Sequence, residues 1–210
     1  DDKHMQEAFL SGEDIHAVTA SQVFRVPLSE VTPEMRRNAK AVNFGIVYGI
    51  SAWSLSQDIG VSPDEARAYM DAYLENYSGV RTYMKDIVET AKAQGYVTTL
   101  YGRRRYLPEL KSSNFNLRSF GERVALNTPI QGTAADIIKL AMIRVDQALR
   151  EAGLEAKLIL QVHDELIVEC PQAETQAAAA ILQREMEQVA QLKVPLVVEA
   201  KAGGSWYEAK

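Results

Sequence analysis

Arg36, Lys40, Phe44 and Tyr48 recur at four-residue intervals within RRNAKAVNFGIVYGI (36–50). Residues four apart are neighbours on a helix surface, so on a helix these side chains form one stripe roughly 18 Å long. The stripe is cationic at one end and aromatic at the other, segregated along the axis rather than around the circumference. Arginine offers phosphate oxygens a planar fork and lysine a point charge, while aromatic rings pack on flat or apolar groups. A nucleoside triphosphate has the same order: phosphates, sugar, base. The opposing reading is a helix whose aromatics face the core while Arg36, Arg37 and Lys40 are merely solvated. Gly45 and Gly49 directly follow the two aromatics. Glycine weakens a helix, so its presence there points to the close approach of another backbone or a ligand.

A second group able to do chemistry is His163-Asp164-Glu165, set between the apolar runs LILQV (158–162) and LIVEC (166–170). The runs read as a hairpin. Adjacent side chains on a strand point to opposite faces, so Asp164 and Glu165 reach one metal ion only if the turn bends the chain between them. Apolar strands on both sides would hold Asp164 rigidly, as a metal ligand requires. A plain polar hairpin tip is the alternative.

Charge is unevenly spread. The net charge of −5 argues against a protein that coats nucleic acid generically. Yet residues 96–123 hold six basic groups (Arg103, Arg104, Arg105, Lys111, Arg118, Arg123) against Glu109 and Glu122, and residues 151–210 hold five basic against ten acidic. That asymmetry suits a chain that holds an anion in one place and a cation in another. The lone Cys170 excludes an internal disulfide and reads as a small buried hydrophobe. No apolar run reaches membrane-spanning length.

These groups need elements to position them. Thr32-Pro33, Ser62-Pro63 and Thr128-Pro129 each place a capping hydroxyl before a proline suited to the first helical turn. Ser62 with Glu65, and Thr128 with Gln131, have capping-box spacing. The signals predict helices near 33–48, 63–76, 80–94 and 129–152, the last ended by Gly153, with further helices within 116–127 and across 172–191. YVTTLY (96–101) reads as a strand with GRRR as the following turn, and VPLVVEA (194–200) as a final strand, an edge because of Pro195. Helices dominate before residue 152 and strands after it, an α+β chain.

With the elements placed, RRNAKAVNFGIVYG closely resembles the fingers-helix motif of family A DNA polymerases, the bacterial polymerase I type. GEDIHAVTA (12–20), GYVTTLYGRRRYLP (95–108), ALNTPIQGTAADIIKLAM (125–142) and LQVHDEL (160–166) resemble further family segments, in the family's order, so the resemblance covers essentially all 210 residues. It implies a mainly helical fingers part (1–115), then the C-terminal part of a palm (116–210) whose antiparallel hairpin carries the catalytic Asp. Arg36, Lys40 and His16 match residues that bind the incoming deoxynucleoside triphosphate. Phe44 matches the aromatic beside its sugar, and Tyr48 the tyrosine near the template base. Arg123, Asn127, Gln131 and His163 match residues touching the primer–template near its growing end, and Arg103, Arg104 and Arg105 fall where the family contacts the DNA backbone. Asp164 matches a metal-binding carboxylate, with Glu165 its less essential neighbour and Lys40 a group stabilising charge in the reaction.

Some of these matches have structural alternatives. His16 also reads as a helix-start residue, Gln131 as only the capping partner of Thr128, and Arg103 to Arg105 as solvated turn residues. The resemblance further implies template-directed transfer to a primer 3′-hydroxyl with two Mg²⁺ ions, in replication and repair, in a monomeric cytoplasmic parent without membrane contact. The family's second carboxylate lies in a DYSQIELR-type motif, and no such motif occurs here. The expectation is therefore a fragment of a longer polymerase, inactive alone. Two other classes compete. A non-catalytic nucleic-acid-binding module would need the basic segment but not Asp164, and a metal-dependent phosphohydrolase would not need the aromatic pair. A single-subunit RNA polymerase is the nearest relative in mechanism.

Overall fold

Residues 2–209 are described by a computed structural model, in which two compact units divide at Gly132/Thr133. The first unit opens with helices α1 (Lys3–Leu10), α2 (Ile15–Phe24), α3 (Pro33–Val47), α4 (Ala52–Ile59), α5 (Pro63–Asn76) and α6 (Ser78–Gln94). Side-chain caps explain most of their starts. Thr32 Oγ1 accepts the Met35 N–H at 3.2 Å ahead of Pro33. Ser62 and Glu65 form the reciprocal capping box that their spacing predicts. Asp2, Asp14 and Ser51 cap α1, α2 and α4, of which the sequence reading offers only a helix start at His16. All three are of ten residues or fewer, and their caps lack a following proline.

The α3 positions that alternate with its stripe enter the core. Val42 and Ile46 pack with Val23, Leu55, Ala66, Tyr73 and Tyr77 from the neighbouring helices. Burial pushes the Tyr73 hydroxyl well above its ordinary range. A smaller cluster joins Ala91, Val97, Leu107, Leu110 and Ala125.

Strands β1 (Tyr96–Thr98) and β2 (Arg104–Tyr106) pair antiparallel, with Tyr96 opposite Tyr106 and Thr98 opposite Arg104. The GRRR segment is thus partly strand, because Gly102, at φ 81°, closes the reversal early.

The expected break at Thr128-Pro129 is absent: α7 runs as one helix from Phe115 to Glu151 with Pro129 inside it. Proline cannot donate to the Ala125 carbonyl. The apolar neighbours Ala125 and Leu126 are buried, and the Tyr83 hydroxyl donates to the Leu126 carbonyl at 3.2 Å. Burial raises this hydroxyl's pKa to about 12, so it stays a donor. Packing of the residues just before the proline outweighs the local start signal, and no Thr128–Gln131 capping box forms.

In the second unit, β3 (Lys157–Val162) and β4 (Glu165–Glu169) form the predicted hairpin. The register shifts between Leu158 and Leu160, a bulge that leaves Ile159 more than half exposed and breaks strict alternation along β3. The Glu174 carboxylate accepts from the Glu155 and Ala156 N–H groups at 3.1 and 3.0 Å, fixing the entry to β3. Helix α8 (Thr175–Glu187) supplies Ala178 and Ile181 to a core with Val145, Leu149, Ala156 and Leu166, and is shorter than the 172–191 expected because its first residues form a 3₁₀ turn. Cys170 is half-buried at the margin of that core.

Residues 194–200 form no strand, contrary to expectation. The Val198 N–H donates to the Glu187 carboxylate at 3.2 Å instead of to a ladder, and Val197 stays 84% exposed. Among the described residues no helix is long and apolar enough to cross a membrane.

Candidate functional site

The stripe on α3 faces solvent. Arg36, Arg37 and Lys40 are exposed, and so are Phe44 and Tyr48 at 46% and 42%. The opposing reading places the aromatics in the core, and the exposure of both rings goes against that half of it. The rings of Phe44 and Tyr48 lie near-parallel with centroids 6.1 Å apart, and Lys40 Nζ sits 5.9 Å from the Phe44 centroid. Cation and aromatics are therefore one continuous surface.

His16 joins this surface from α2, its ring 5.8 Å from that of Phe44. It is the second helical residue, as the helix-start reading has it, but the cap itself is Asp14. Burial lowers the His16 pKa, with Asp14 acting against it and Arg36 and Lys40 in the same direction as burial. Asp14, which sequence reasoning passes over, does double duty. One oxygen accepts from the Ala17 N–H at 2.8 Å, and the other lies 2.6 Å from Arg36 Nη2. The hydrogen bond from Arg36 holds the Asp14 carboxyl below its ordinary range, and the guanidinium is correspondingly raised. The Arg36 fork is thereby oriented by a group fixed at a helix N-terminus.

The two glycines, expected to mark the close approach of another backbone or a ligand, also have a local role. Gly49, at φ 69°, donates to the Ile46 carbonyl, and Ile50 donates to that of Gly45 at 2.8 Å. This is the Schellman pattern that ends α3. A Cβ on Gly45 would meet Ile50 Cγ2 at 2.6 Å, so the first glycine makes room for the residue that closes the second's turn. A Cβ on Gly49 would lie 3.2 Å from Arg123 Cγ, which sets Arg123 beside the aromatic end of the stripe.

Arg123, Asn127 and Gln131 follow one another at helical spacing on α7. Arg123 and Gln131 are exposed, and Gln131 is released from the capping role that would have occupied it. Asn127 Oδ1 is buried without a hydrogen-bond partner, a state that costs about 1–3 kcal/mol until a donor arrives. The three arginines are less uniform than their run suggests. Arg103 Nη2 donates to the Gly132 carbonyl at 3.0 Å, and the Arg104 guanidinium lies 4.8 Å from the Tyr96 centroid. Arg105 is exposed on β2, opposite Val97.

In the second unit, His163 and Asp164 are the two turn residues of the hairpin. His163 has φ 53°, a left-handed backbone uncommon for a side-chain-bearing residue and often found at working sites. The Gln161 amide donates to its carbonyl at 2.6 Å. The turn does separate the two acids. Asp164 is exposed at the tip, while Glu165 is already on β4, where its carboxylate accepts from Trp206 Nε1 at 3.4 Å.

Asp164 offers the oxygen donor that a hard divalent ion prefers, and such an ion needs only one or two carboxylates when a substrate supplies phosphates. The hairpin fits that partial role. Among the described residues no three His, Cys, Asp or Glu side chains gather as a self-sufficient metal site.

Residues 1–208 match the model of DNA polymerase family A. The chain is 56% identical over 209 residues to DNA polymerase I of Bacillus subtilis (strain 168) and 53% identical over 210 residues to that of Bacillus caldotenax. All of this chain is covered in both alignments, but it spans only 24% of each relative's length. Among solved structures, the POL domain of Pol1 from M. smegmatis, in complex with DNA primer-template and dNTP, superposes with a TM-score of 0.94 at 48% identity. That match covers 99% of this chain and 37% of the other.

Proposed function

The chain belongs to DNA polymerase family A, and from that premise we propose that it carries the nucleotide-binding surface and one metal-binding carboxylate of a DNA-directed DNA polymerase. The reaction is template-directed deoxynucleotidyl transfer to a primer 3′-hydroxyl with release of pyrophosphate. The observation that carries the proposal is the exposed stripe on α3, with Arg36 and Lys40 at one end and Phe44 and Tyr48 at the other.

Each residue has a place in it. Arg36, oriented by Asp14, and Lys40 bind the triphosphate and stabilise charge moving onto the leaving pyrophosphate. His16 donates to the same phosphates. Phe44 packs on the sugar, and Tyr48 lies by the templating base. Arg123 and Gln131 hold the primer–template, and a polar group of the nucleic acid satisfies the orphan Asn127 oxygen. Arg105, with Arg103 and Arg104, meets the DNA backbone, and His163 touches the primer end from the hairpin. Asp164 would hold Mg²⁺, with Glu165 kept aside by Trp206. When bound, divalent ions supply Lewis-acid stabilisation of the attacking and leaving oxygens. A role in replication and repair, a monomeric parent and a cytoplasmic location belong to the same reading.

Nucleotide binding by the 210-residue chain tests it. Trp53, exposed at 65% on α4, provides the fluorescence signal. Deoxynucleoside triphosphates should bind more tightly than monophosphates, and those more tightly than nucleosides, with the preference lost in Lys40→Ala. Equal affinity for the unphosphorylated nucleoside would remove the stripe from triphosphate recognition.

A further inference from the structure

The His16 ring is held from behind by a chain of buried polar groups that no catalytic role requires. Its Nδ1 lies 3.0 Å from Asn43 Nδ2 on α3. The Asn43 amide also bonds Thr19 Oγ1 at 3.2 Å, and Thr19 Oγ1 is 3.5 Å from the Tyr77 hydroxyl. Thr19 and Tyr77 are both fully buried at 0% exposure, so water cannot substitute for these partners.

The direction of the bonds follows from counting protons. Thr19 Oγ1 carries one proton, and its neighbours are the Tyr77 hydroxyl and the Asn43 amide. The single Thr19 proton passes to Asn43 Oδ1, which turns Asn43 Nδ2 towards His16. His16 Nδ1 must accept, and the remaining proton sits on Nε2.

We infer that Asn43 is a positioning residue that locks His16 as the neutral Nε2–H tautomer, presenting a hydrogen-bond donor to the triphosphate. The half of the inference that concerns the triphosphate rests on the function proposed above. The tautomer does not. An amide in the opposite orientation would leave Nε2 with a lone pair, which repels phosphate oxygen. The charged groups facing the ring are Asp14 from the start of α2 and Arg36 and Lys40 from α3. Burial, with the two cations and against Asp14, disfavours a second proton on the ring, and Asn43 Nδ2 lies 3.0 Å from Nδ1 as from an acceptor.

The test begins with the unsubstituted 210-residue chain labelled with ¹⁵N-histidine, His16→Gln identifying the relevant signals among the three histidines. At neutral pH and without nucleotide, Nδ1 should be the unprotonated nitrogen and Nε2 the protonated one. Asn43→Asp keeps an acceptor for Thr19 but sets a carboxylate oxygen against Nδ1. It should raise the His16 pKa and convert the ring to imidazolium. In primer extension by an active form containing this chain, the Asn43→Asp triphosphate KM should then fall as pH falls through the raised pKa, an inflection absent from the parent.

A protonated Nδ1 in the parent chain overturns the inference, as does a His16 titration that Asn43→Asp leaves unmoved. The parent measurement needs no substitution, so it decides even if the variant does not fold. If the tautomer is as inferred, His16→Leu should raise the triphosphate KM about ten- to over a hundredfold, and His16→Gln, which keeps a donor, should recover most of that. A KM indifferent to both substitutions would overturn the triphosphate role alone.

Discussion

Lys40→Ala isolates the cationic end of the stripe. Lys40 is exposed, touches the Phe44 ring only at a 5.9 Å centroid distance and pairs with no carboxylate among the described residues. Its removal should therefore leave folding stability within about 0.5 kcal/mol of the parent. A charge-assisted contact to phosphate is worth about 1.5–3 kcal/mol, or roughly ten- to over a hundredfold in kcat/KM for the nucleotide. Lys40→Arg keeps the charge but exchanges a point donor for a broad fork, so it should lose less than alanine without matching lysine. Arg36 differs because Asp14 is already 2.6 Å from it. Arg36→Ala strips a phosphate contact and leaves an unneutralised carboxylate beside the site, so it should lose more than Lys40→Ala, and Asp14→Asn in that background should restore part. The assay is steady-state primer extension by an active form that includes these residues, with DNA affinity and urea unfolding measured in parallel. Unchanged kcat and KM in Lys40→Ala would refute the assignment, as would a loss of DNA affinity as large as the loss in nucleotide use.

Phe44→Tyr should ease incorporation of nucleotides lacking the 3′-hydroxyl, because a phenolic oxygen would sit near the sugar; an unaltered preference between deoxy and dideoxy substrates would turn Phe44 away from it. Gly49→Ala should cost about 1–2 kcal/mol in urea unfolding, since Gly49 holds φ 69° with Leu126 and Arg123 within 3.2 Å of the added carbon. Asp14 has its pKa lowered by Arg36, so the stability it contributes is present above the ordinary carboxylate range and is lost as pH falls through the depressed value; Asp14→Asn, which keeps the helix cap, should flatten that acid limb of a stability–pH curve. The 210-residue chain alone should not extend a primer, since the second metal-binding carboxylate that the family resemblance implies lies in a motif that does not occur in this sequence, and in a longer active form Asp164→Asn should abolish most extension; robust metal-dependent extension by the short chain would show a complete metal site that the hairpin does not account for.

Local rules were enough wherever one signal acted without competition. The Thr32 and Ser62 caps, the helix ends at residue 94 and before Gly153 and the hairpin around residues 163–164 lie where the sequence places them. The failures share a cause. Thr128-Pro129 carries a strong start signal, but buried Ala125 and Leu126 continue the helix across it, a tertiary effect no window of sequence contains. Residues 194–200 have the composition of a strand, yet a strand is defined by a partner, and composition does not name one. The bulge at Ile159 is equally invisible, because it is a relation between two strands rather than a property of either.

The site divides along the same line. Spacing alone foretold the stripe, because four-residue intervals and charge order are periodic properties of one helix. Its support was not legible, since every supporting bond links elements far apart in the chain: Asp14 to Arg36, His16 to Asn43, Thr19 to Tyr77. The glycines show the converse. Two glycines after two aromatics pointed to the close approach of another backbone or a ligand, and both also serve the Schellman turn that stops α3 at Tyr48. That turn nevertheless matters to the surface. Had α3 continued, Tyr48 would be one more mid-helix side chain; ending there, it stands at the edge of the stripe where Arg123 packs against Gly49. A residue chosen for backbone geometry thus brings the aromatic end of a nucleotide-sized surface against the first of three polar side chains on α7. The junction of the two surfaces lies at Gly49, where neither motif alone would have placed it.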